Sequence, residues 1–578
     1  MTGEAAGVDT RDSPSRTVAG PRAVLFWLAP ALLAEALILA VTASAHASGP
    51  LRLGELPIFY RLFLEDWPIA AVAVMLLVLA PVAARFAGRP VDRVVRAMGE
   101  QPLAIAVVFV IVAAAAARLV YRAHPLSMDE YGAVFQAEAF AAGHLTGRMP
   151  TELLGRVLGP GFLGFFFSAN PVTGQIVANY WPGFSLLLTP FALAGVPWVL
   201  NPLIGGLTVL ALHRLAKRLY PDTDAPGWAV LFAIASPMFV VNSISYYSMP
   251  AHLLANTVYV LLLLDPSPGR LFAAGLTGAF ALSLHQPFPH AVFAVPWLVW
   301  IATRPGGLRR LGYLAAGYLP PLALMFGGWA VVNAAVHANG PVAGAYEALR
   351  ADGPLLQRAI EILRFVFRLP TGEIVVARII EIAKLLVWTV PALPFLVLPA
   401  WRGSDGRPAI RLLFASAGLT LLAYFGVGFS QGHGWGDRYF YPVFMSIPVI
   451  AAGVVAGASA RDVSDRSRAV APRVVGSLAL GSLVLLNATG LFVTGRFIHG
   501  QLAQRPVTDP AQRQVVVLDV THGYYTNDLV QNDPFLRGPV IWIAGWGDGT
   551  DSAWVASRFP NAVIVARPEG ATVWRMDR

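Results

Sequence analysis

Thirteen apolar runs divide this chain, and they limit its fold more than any other feature of the sequence. A transmembrane helix needs about 20 predominantly apolar residues, and most of these runs meet that length. Charged residues make up only 13% of the chain, about half of the roughly 25% that is usual in soluble domains. We therefore expect an all-α polytopic membrane protein with helices near residues 23–43, 68–86, 102–121, 197–213, 228–245, 251–264, 271–285, 290–303, 312–335, 379–400, 412–429, 442–459 and 474–494.

The basic residues predict which side of the membrane each loop faces. With the N-terminus inside, the inner loops hold 21 Lys or Arg in 91 residues, whereas the outer loops hold 11 in 150. Because cytoplasmic loops carry the excess of basic residues, this difference predicts a cytoplasmic N-terminus and an extracytoplasmic C-terminus. The scarcity of lysine beside abundant Ala, Gly, Val and Arg indicates a bacterial source, so the expected location is the bacterial inner or plasma membrane.

Three kinds of segment outside the apolar runs predict the domain organisation. Residues 1–21 are polar and rich in small side chains, which predicts a disordered cytoplasmic tail before a transmembrane domain over 22–494. Two long outer loops, 122–180 and 336–378, interrupt this domain, and the first has the amphipathic pattern of helices in the membrane interface. Short buried-strand patterns then predict a small extracytoplasmic α/β module over 495–578.

Asp129 and Glu130 follow the third apolar run at the start of the first large outer loop. On a helix their side chains diverge by about 100°, so one can face a site while the other has a different role. A carboxylate at a membrane boundary can have a raised pKa and act as a general base, which makes Asp129 the candidate for that role. The alternative is that both acids solvate the helix or cap its start, because Ser127-Met-Asp-Glu has the pattern of a helix N-terminus.

A glycine-rich stretch in the last outer loop is the second candidate site. Alternating glycines let the backbone approach a ligand closely, and Arg438 can make a bidentate contact to a phosphate. Arg118 and Arg122, at the end of the third apolar run, are further candidates for binding phosphate. The alternative for these arginines is that they snorkel toward lipid headgroups at an aromatic belt.

Other polar side chains at the predicted outer ends of spans are candidate substrate contacts. They face the same side as Arg438 and can hydrogen-bond a sugar or a phosphate: His252, His285, Gln286, His433, Asp437 and Tyr439. The histidines lack the spacing of metal ligands, so we expect no cofactor, although a divalent metal stays open.

Composition excludes several other classes of site and partner. The chain has no cysteine, which excludes disulfides, thiolate metal sites and cysteine nucleophiles. Its net charge of +9 comes from arginines in short blocks between apolar runs, without the basic face of a nucleic-acid-binding protein. We therefore expect the membrane, and no nucleic acid, as a partner.

A series of short motifs occurs in a characteristic order along the chain. In sequence these are Asp129-Glu130-Tyr131 after an apolar run, Phe135-Gln136, Gly143-His-Leu145, Tyr180-Trp-Pro-Gly-Phe-Ser-Leu-Leu, and Asp437-Arg-Tyr439 before a late run. The pattern resembles the GT-C superfamily of polytopic glycosyltransferases, which take a sugar from a polyprenyl-phosphate donor. The similar branch is that of bacterial family 39-like proteins, related to dolichyl-phosphate-mannose protein mannosyltransferases and aminoarabinose transferases. The resemblance covers roughly residues 102–460.

The resemblance implies a function for the outer loops. A hexosyl or pentosyl group would move from a polyprenyl-phosphate donor to a hydroxyl of a glycan, lipid or protein acceptor in the cell envelope, with inversion. Asp129 would activate the acceptor, Glu130 would support it, and Arg438 would lie near the donor phosphate. The first two spans and the C-terminal module depart from the family pattern. A transporter or flippase for a lipid-linked or small polar substrate is the alternative, although transporters usually place ionisable groups in mid-membrane.

Overall fold

The computed structural model describes residues 21–47, 56–159, 161–163, 165–337, 360, 364, 367–401, 407–460, 470–523, 525–547 and 549–576. The predicted N-terminal tail up to residue 20 and most of the predicted outer loop 336–378 lie outside these residues.

Helices dominate the described part of the chain, and each predicted apolar run falls on one or more of them. They are α1 (Pro21–Ala47), α2 (Ile58–Leu64), α3 (Trp67–Ala83), α4 (Gly88–Glu100), α5 (Pro102–Leu119), α6 (Met128–Ala141), α7 (Gly183–Leu193), α8 (Leu200–Leu219), α9 (Ala225–Ile234), α10 (Pro237–Asn242), α11 (Met249–Leu263), α12 (Pro268–Ser283), α13 (Phe288–Ala302), α14 (Gly307–Leu322), α15 (Trp329–His337), α16 (Gly372–Val387), α17 (Leu393–Val397), α18 (Pro408–Tyr424), α19 (Ser446–Ala460), α20 (Val470–Gly481), α21 (Asn487–Leu502) and α22 (Thr550–Arg558).

The helices confirm the prediction of a mainly helical polytopic membrane protein. Within the described residues, six helical stretches are long and apolar enough to cross a membrane, and six shorter apolar helices accompany them. A count of thirteen spans is not confirmed, because several apolar runs form helices that are shorter than about 20 residues.

Two of the predicted spans are each divided into two helices. The run at 228–245 forms α9 and α10, separated at Ser236, whose extended backbone is the conformation favoured before Pro237. The run at 379–400 forms α16 and the short α17, with Ala392 between them at a φ of 68°. Apolar composition predicted these segments correctly as helical, but it could not place the breaks.

The first outer loop folds into one helix and a small sheet. Helix α6 is buried along most of its length, and strands β1 (Gly147–Arg148), β2 (Phe167–Ala169) and β3 (Gln175–Ala178) pair antiparallel in the order β1-β3-β2. The sequence predicted several helices lying in the membrane interface. Within the described part of the loop, short strands and a single 3₁₀ turn follow α6 in place of further α-helices, and aromatic side chains such as Phe135 and Phe167 pack against each other inside the protein.

The C-terminal module contains a mixed sheet with the strand order β5-β4-β7-β6. Strand β4 (Gln514–Asp519) pairs parallel with β5 (Val540–Gly545), while β7 (Ala571–Met576) pairs antiparallel with both β4 and β6 (Ala562–Ala566). Helix α22 connects β5 to β6. The sequence predicts β4, β5, β6 and the helix before β6, but neither β7 nor the order and pairing of the strands.

Strand β4 joins the C-terminal module to the first outer loop. Val515 and Val517 on one face of β4 belong to the same hydrophobic core as Phe135 and Phe167 of the loop. The other face of β4 packs within the module. Because one core contains residues of both segments, the module and the first outer loop form a single packed unit.

Candidate functional site

Glu130 fixes the first turn of α6. Its side chain is fully buried, and its carboxylate accepts hydrogen bonds from the Tyr121 hydroxyl and the backbone amides of Leu126, Ser127 and Tyr246, at 2.8 to 3.3 Å. Burial raises the pKa of Glu130 to about 7, although these donors act in the opposite direction. With its oxygens occupied by protein donors, Glu130 positions the chain around the site.

The Asp129 side chain projects from the same helical turn in a different direction, toward the late outer loop that contains Arg438. One carboxylate oxygen accepts a hydrogen bond from the Tyr180 hydroxyl, and the other lies 2.8 Å from Nη1 of Arg438. The Asp129 side chain keeps 20% of its surface exposed, so it is accessible to a ligand.

The electrostatic surroundings of Asp129 differ from those expected at a membrane boundary. Burial raises its pKa, but Arg438, His285 and Tyr180 outweigh this effect and hold the pKa below the usual value. The raised pKa expected from the sequence is therefore wrong. That expectation was based on burial at the membrane surface. The cation that lowers the pKa is Arg438, which lies 309 residues later in the sequence.

The loop before Arg438 is shaped by glycines with left-handed backbone. Gly432, Gly434 and Gly436 have φ values of 64°, 137° and 67°, which disfavour residues with a Cβ atom. A Cβ atom at Gly434 would lie 2.1 Å from Cδ of Arg438. The alternating glycines thus let the backbone wrap closely around the arginine side chain.

Arg438 is held from one side of its guanidinium. Nη1 donates to Asp129 and to the backbone oxygens of Gln431 at 3.3 Å and His433 at 2.7 Å, and the guanidinium lies over the Tyr247 ring at 4.3 Å. Among the described residues, the buried Nε has no hydrogen-bond partner. Because an unsatisfied buried donor is unfavourable, Nε is a candidate donor to an anionic ligand that enters this enclosed part of the site.

His433 presents a second donor beside Arg438. Its Nδ1 lies 2.7 Å from the Tyr247 hydroxyl, and its buried Nε2 has no hydrogen-bond partner in the described part of the chain. Burial, together with the charge of Arg438, lowers the pKa of His433 to about 3, so the ring is neutral at neutral pH. When Tyr247 donates to Nδ1, the imidazole proton resides on Nε2 and can be donated to a ligand oxygen.

Asp437 and Tyr439 stabilise the loop that carries Arg438. The carboxylate of Asp437 accepts backbone hydrogen bonds from Tyr439 and Phe440, both at 3.0 Å, and burial raises its pKa to about 8. Tyr439 donates to the Ser430 carbonyl at 2.9 Å and stacks on Tyr424. Both residues were candidate substrate contacts, but their polar groups are used to hold the loop.

His285 joins the site, whereas Gln286 and His252 lie apart from its hydrogen-bonded core. The His285 ring stacks on Tyr180 with 3.8 Å between the ring centroids, and burial lowers its pKa to about 4. Gln286 is exposed. His252 is completely buried, and neither of its ring nitrogens has a hydrogen-bond partner among the described residues.

Arg118 and Arg122 are exposed and form no ion pair with a described residue. Arg122 has a left-handed backbone with a φ of 59°, in the turn between α5 and α6. The structure therefore brings Arg438, and neither of these two arginines, against Asp129. Their placement fits the alternative of arginines that reach toward lipid headgroups.

Sequence analysis missed several residues that form the site. Tyr180 belongs to a recognised motif, but nothing in its spacing predicted a hydrogen bond to Asp129. Tyr247 and Gln431 lie close in sequence to candidate residues, and this proximity could have indicated that they belong to the site. Tyr525 and Asp528 come from the C-terminal module, where no motif indicated a role in this site.

No three His, Asp or Glu side chains among the described residues are arranged to hold a metal ion. The site described above therefore consists of an ion pair, its tyrosine partners and the two available donors on Arg438 and His433.

Comparison with known proteins gives matches in structure only. No protein-family model matches the chain, and no curated protein matches it. The crystal structure of ArnT from Cupriavidus metallidurans bound to undecaprenyl phosphate has a TM-score of 0.48 and 15% sequence identity, over 82% of this chain and 98% of that chain. The structure of the same protein in the apo state gives the same score and identity over 82% of this chain and 97% of that chain. These likenesses concern the fold alone.

Proposed function

We propose that this protein is a membrane glycosyltransferase that moves a sugar from a polyprenyl-phosphate donor to an acceptor hydroxyl on the extracytoplasmic face, with inversion. The motif resemblance implies this reaction class. The observation that carries the proposal is the Asp129–Arg438 pair, which joins a partly exposed carboxylate to a guanidinium with an unused donor. Transfer from a sugar phosphate needs these two kinds of group, a base for the acceptor and a cation for the leaving phosphate.

The proposed reaction gives each of these groups a role. The acceptor oxygen attacks the anomeric carbon and forms the new glycosidic bond, while the bond from that carbon to the phosphate oxygen breaks. The acceptor proton passes to a carboxylate oxygen of Asp129. The departing polyprenyl phosphate keeps the bonding electron pair, and Arg438 stabilises its charge.

The neighbouring residues prepare this chemistry. Arg438 keeps Asp129 ionised by lowering its pKa, so the base is deprotonated across the neutral range. Nε of Arg438 and Nε2 of neutral His433 are suited to donate to phosphate oxygens. Tyr180 and the stacked His285 orient the carboxylate from the other side.

The predicted topology fits an amphiphilic donor. A polyprenyl chain in the bilayer and a sugar phosphate at the outer surface require a site at the ends of spans, and Asp129 and Arg438 both lie in predicted outer loops next to apolar runs. We propose an inner-membrane protein with a cytoplasmic N-terminus and an extracytoplasmic C-terminus. Accessibility labelling of residues in the C-terminal module from the outside of intact cells tests this orientation.

The experiment that tests the reaction uses membranes and a panel of polyprenyl-phosphate sugars. Undecaprenyl phosphate, which the ArnT structure contains, is the lipid we would use first. We expect donor turnover with the wild type and none with Asp129→Asn. The matched control is Asp265→Asn, because Asp265 also pairs with an arginine, Arg270 at 2.6 Å, but is exposed in a predicted inner loop.

A transporter is the second candidate function, and one observation favours it. Glu35 is almost completely buried within α1, and its Oε2 has no hydrogen-bond partner in the described residues. Ionisable groups of this kind within spans often mark substrate or proton pathways. Movement of a lipid-linked sugar across vesicles without donor turnover, abolished by Glu35→Gln, would favour the transporter over the glycosyltransferase.

A further inference from the structure

A segment of the C-terminal module crosses the start of α6. Gln531 Nε2 donates to the Pro125 carbonyl at 2.8 Å, and the backbone of Asn532 exchanges hydrogen bonds with the Tyr131 hydroxyl at 2.5 and 2.8 Å. These contacts join positions about 400 residues apart in the sequence, so they form only when the module is docked.

Asp528 makes the contact closest to the reacting carboxylate. Its Oδ1 accepts a hydrogen bond at 2.8 Å from the backbone amide of Met128, the residue before Asp129. The first amides of a helix have no partner within the helix, and a side chain usually satisfies them from the N-cap position. Here Ser127 holds the N-cap position and forms a capping box with Glu130, the third residue of the helix, and Asp528 supplies the acceptor for the amide of Met128, the first residue.

The same segment also touches the phosphate side of the candidate site. The Tyr525 ring stacks on His433, with 5.3 Å between the centroids and 25° between the planes. Asp528 is 6% exposed, and its pKa is raised by burial and by the nearby charges of Asp129 and Glu130. The segment from 525 to 532 therefore contacts both the helix that carries the base and the loop that carries Arg438.

We propose that Asp528 is a positioning residue for Asp129, and that the C-terminal module completes the catalytic site by fixing the first turn of α6. This inference rests on the proposed function for its catalytic consequence. Its structural part, the dependence of the α6 start on Asp528, is independent of the reaction. A displacement of about 1 Å in a reacting group can lower the rate of the chemical step about 100-fold, so loss of one hydrogen bond here has a measurable effect.

The test compares three variants of the full-length protein. Asp528→Ala removes the acceptor for the Met128 amide, whereas Asp528→Asn keeps an oxygen in the same place. The control is Asp533→Ala, because Asp533 lies in the same module and accepts backbone hydrogen bonds from Phe535 at 3.0 Å and Gly538 at 2.8 Å, without a hydrogen bond to α6 among the described residues.

The first measurement is amide hydrogen exchange over residues 126–136 in detergent or nanodiscs, which needs no substrate. In Asp528→Ala we expect exchange at the start of α6 to be about 2- to 10-fold faster, in line with the loss of one hydrogen bond. Asp528→Asn and Asp533→Ala should leave this region unchanged. Unchanged exchange in Asp528→Ala would overturn the inference, whether or not the protein is a glycosyltransferase.

The second measurement separates positioning from a general loss of folded protein. With donor and acceptor, Asp528→Ala should lower kcat per folded molecule about 10- to 100-fold with little change in the donor KM, and Asp528→Asn should restore most of it. Equal loss in the alanine and asparagine variants would contradict positioning through this hydrogen bond. Normal kcat in Asp528→Ala, together with inactive Asp129→Asn, would refute the inference while leaving the proposed function in place.

Discussion

Replacing Arg438 with alanine removes the cation that binds Asp129 and supplies the unused donor of the candidate site. Arg438 is 5% exposed and donates through Nη1 to Asp129, Gln431 and His433. Removing one partner of a buried ion pair lowers the free energy of unfolding by about 3 to 5 kcal/mol. Because Asp129 is 20% exposed, we expect a loss of about 3 kcal/mol. Loss of the charge that stabilises the leaving phosphate should lower kcat about 100- to 1,000-fold.

The assay measures donor turnover against pH for the wild type, Arg438→Ala and Arg438→Lys. The pKa of Asp129 is depressed by Arg438, so the wild-type rate should decline only at a pH below the usual range for an aspartate. In Arg438→Ala the pKa of Asp129 rises, and the acidic limb of the profile should move to higher pH. Arg438→Lys keeps the charge but loses the guanidinium Nε, so we expect an intermediate rate and a smaller displacement of the acidic limb.

Two results would refute this reasoning about Arg438. Unchanged donor kinetics in both variants would remove Arg438 from the site. An unchanged acidic limb in an Arg438→Ala protein that is still active would show that Asp129 is not the base whose ionisation Arg438 controls. Thermal unfolding of each variant in detergent separates these outcomes from loss of folded protein.

Three further predictions concern buried charges and pH. Lys384→Met leaves Asp66 without its partner at 2.8 Å, both side chains being at most 2% exposed, so it should cost about 3 to 5 kcal/mol and lower the Tm in detergent. In Glu130→Gln, the new side-chain amide group faces groups that already donate hydrogen bonds to this position. The variant should therefore lose about 1 to 3 kcal/mol of unfolding free energy. The pKa of His433 is about 3 in the folded protein and 6.5 in the unfolded chain, so the unfolded state binds more protons. The contribution of His433 to the free energy of unfolding is therefore fully present above pH 6.5 and is lost as the pH falls. Between pH 6.5 and 5 this loss is about 2 kcal/mol, and His433→Gln should remove it from the pH dependence of the Tm.

Each of these predictions has a distinct contrary result. Recovery of the Tm is expected in the Asp66→Asn, Lys384→Met double variant, and a double variant no better than Lys384→Met would speak against the pairing. A Glu130→Gln protein with normal Tm but no transfer would make Glu130 a catalytic residue. Identical pH dependence of the Tm in the wild type and His433→Gln would mean that His433 is not held neutral by burial.

The sequence predicted the parts of the fold that depend on local composition. Apolar runs identified the helical segments, and alternating or continuous apolar patterns identified β4, β5 and β6. The helix start at Ser127 was also predictable, because a capping pattern is local. Strand β7 was missed, although its alternating Thr572, Trp574 and Met576 offered a signal.

The site was predictable in its members more than in its arrangement. Asp129 and Arg438 were both candidates, but their contact depends on a glycine loop that folds back over α6, which no local pattern shows. Arg118 and Arg122 are the same residue type as Arg438 and lie nearer to Asp129 in the sequence, yet both are exposed, and Asp129 pairs with Arg438. The contribution of Asp528 depends on packing between segments about 400 residues apart, so single-sequence periodicity could not reveal it.

The most direct test of the central claim is turnover of a polyprenyl-phosphate sugar by purified protein in nanodiscs, comparing the wild type with Asp129→Asn. The change keeps the size of the side chain and one of its two acceptor oxygens but removes the charge that pairs with Arg438, so thermal unfolding in detergent must show that the variant is folded before its turnover is compared. We predict release of the polyprenyl phosphate and transfer of the sugar with inverted configuration by the wild type, and loss of both in the variant. Full transfer by a folded Asp129→Asn protein would contradict the assignment of Asp129 as the general base.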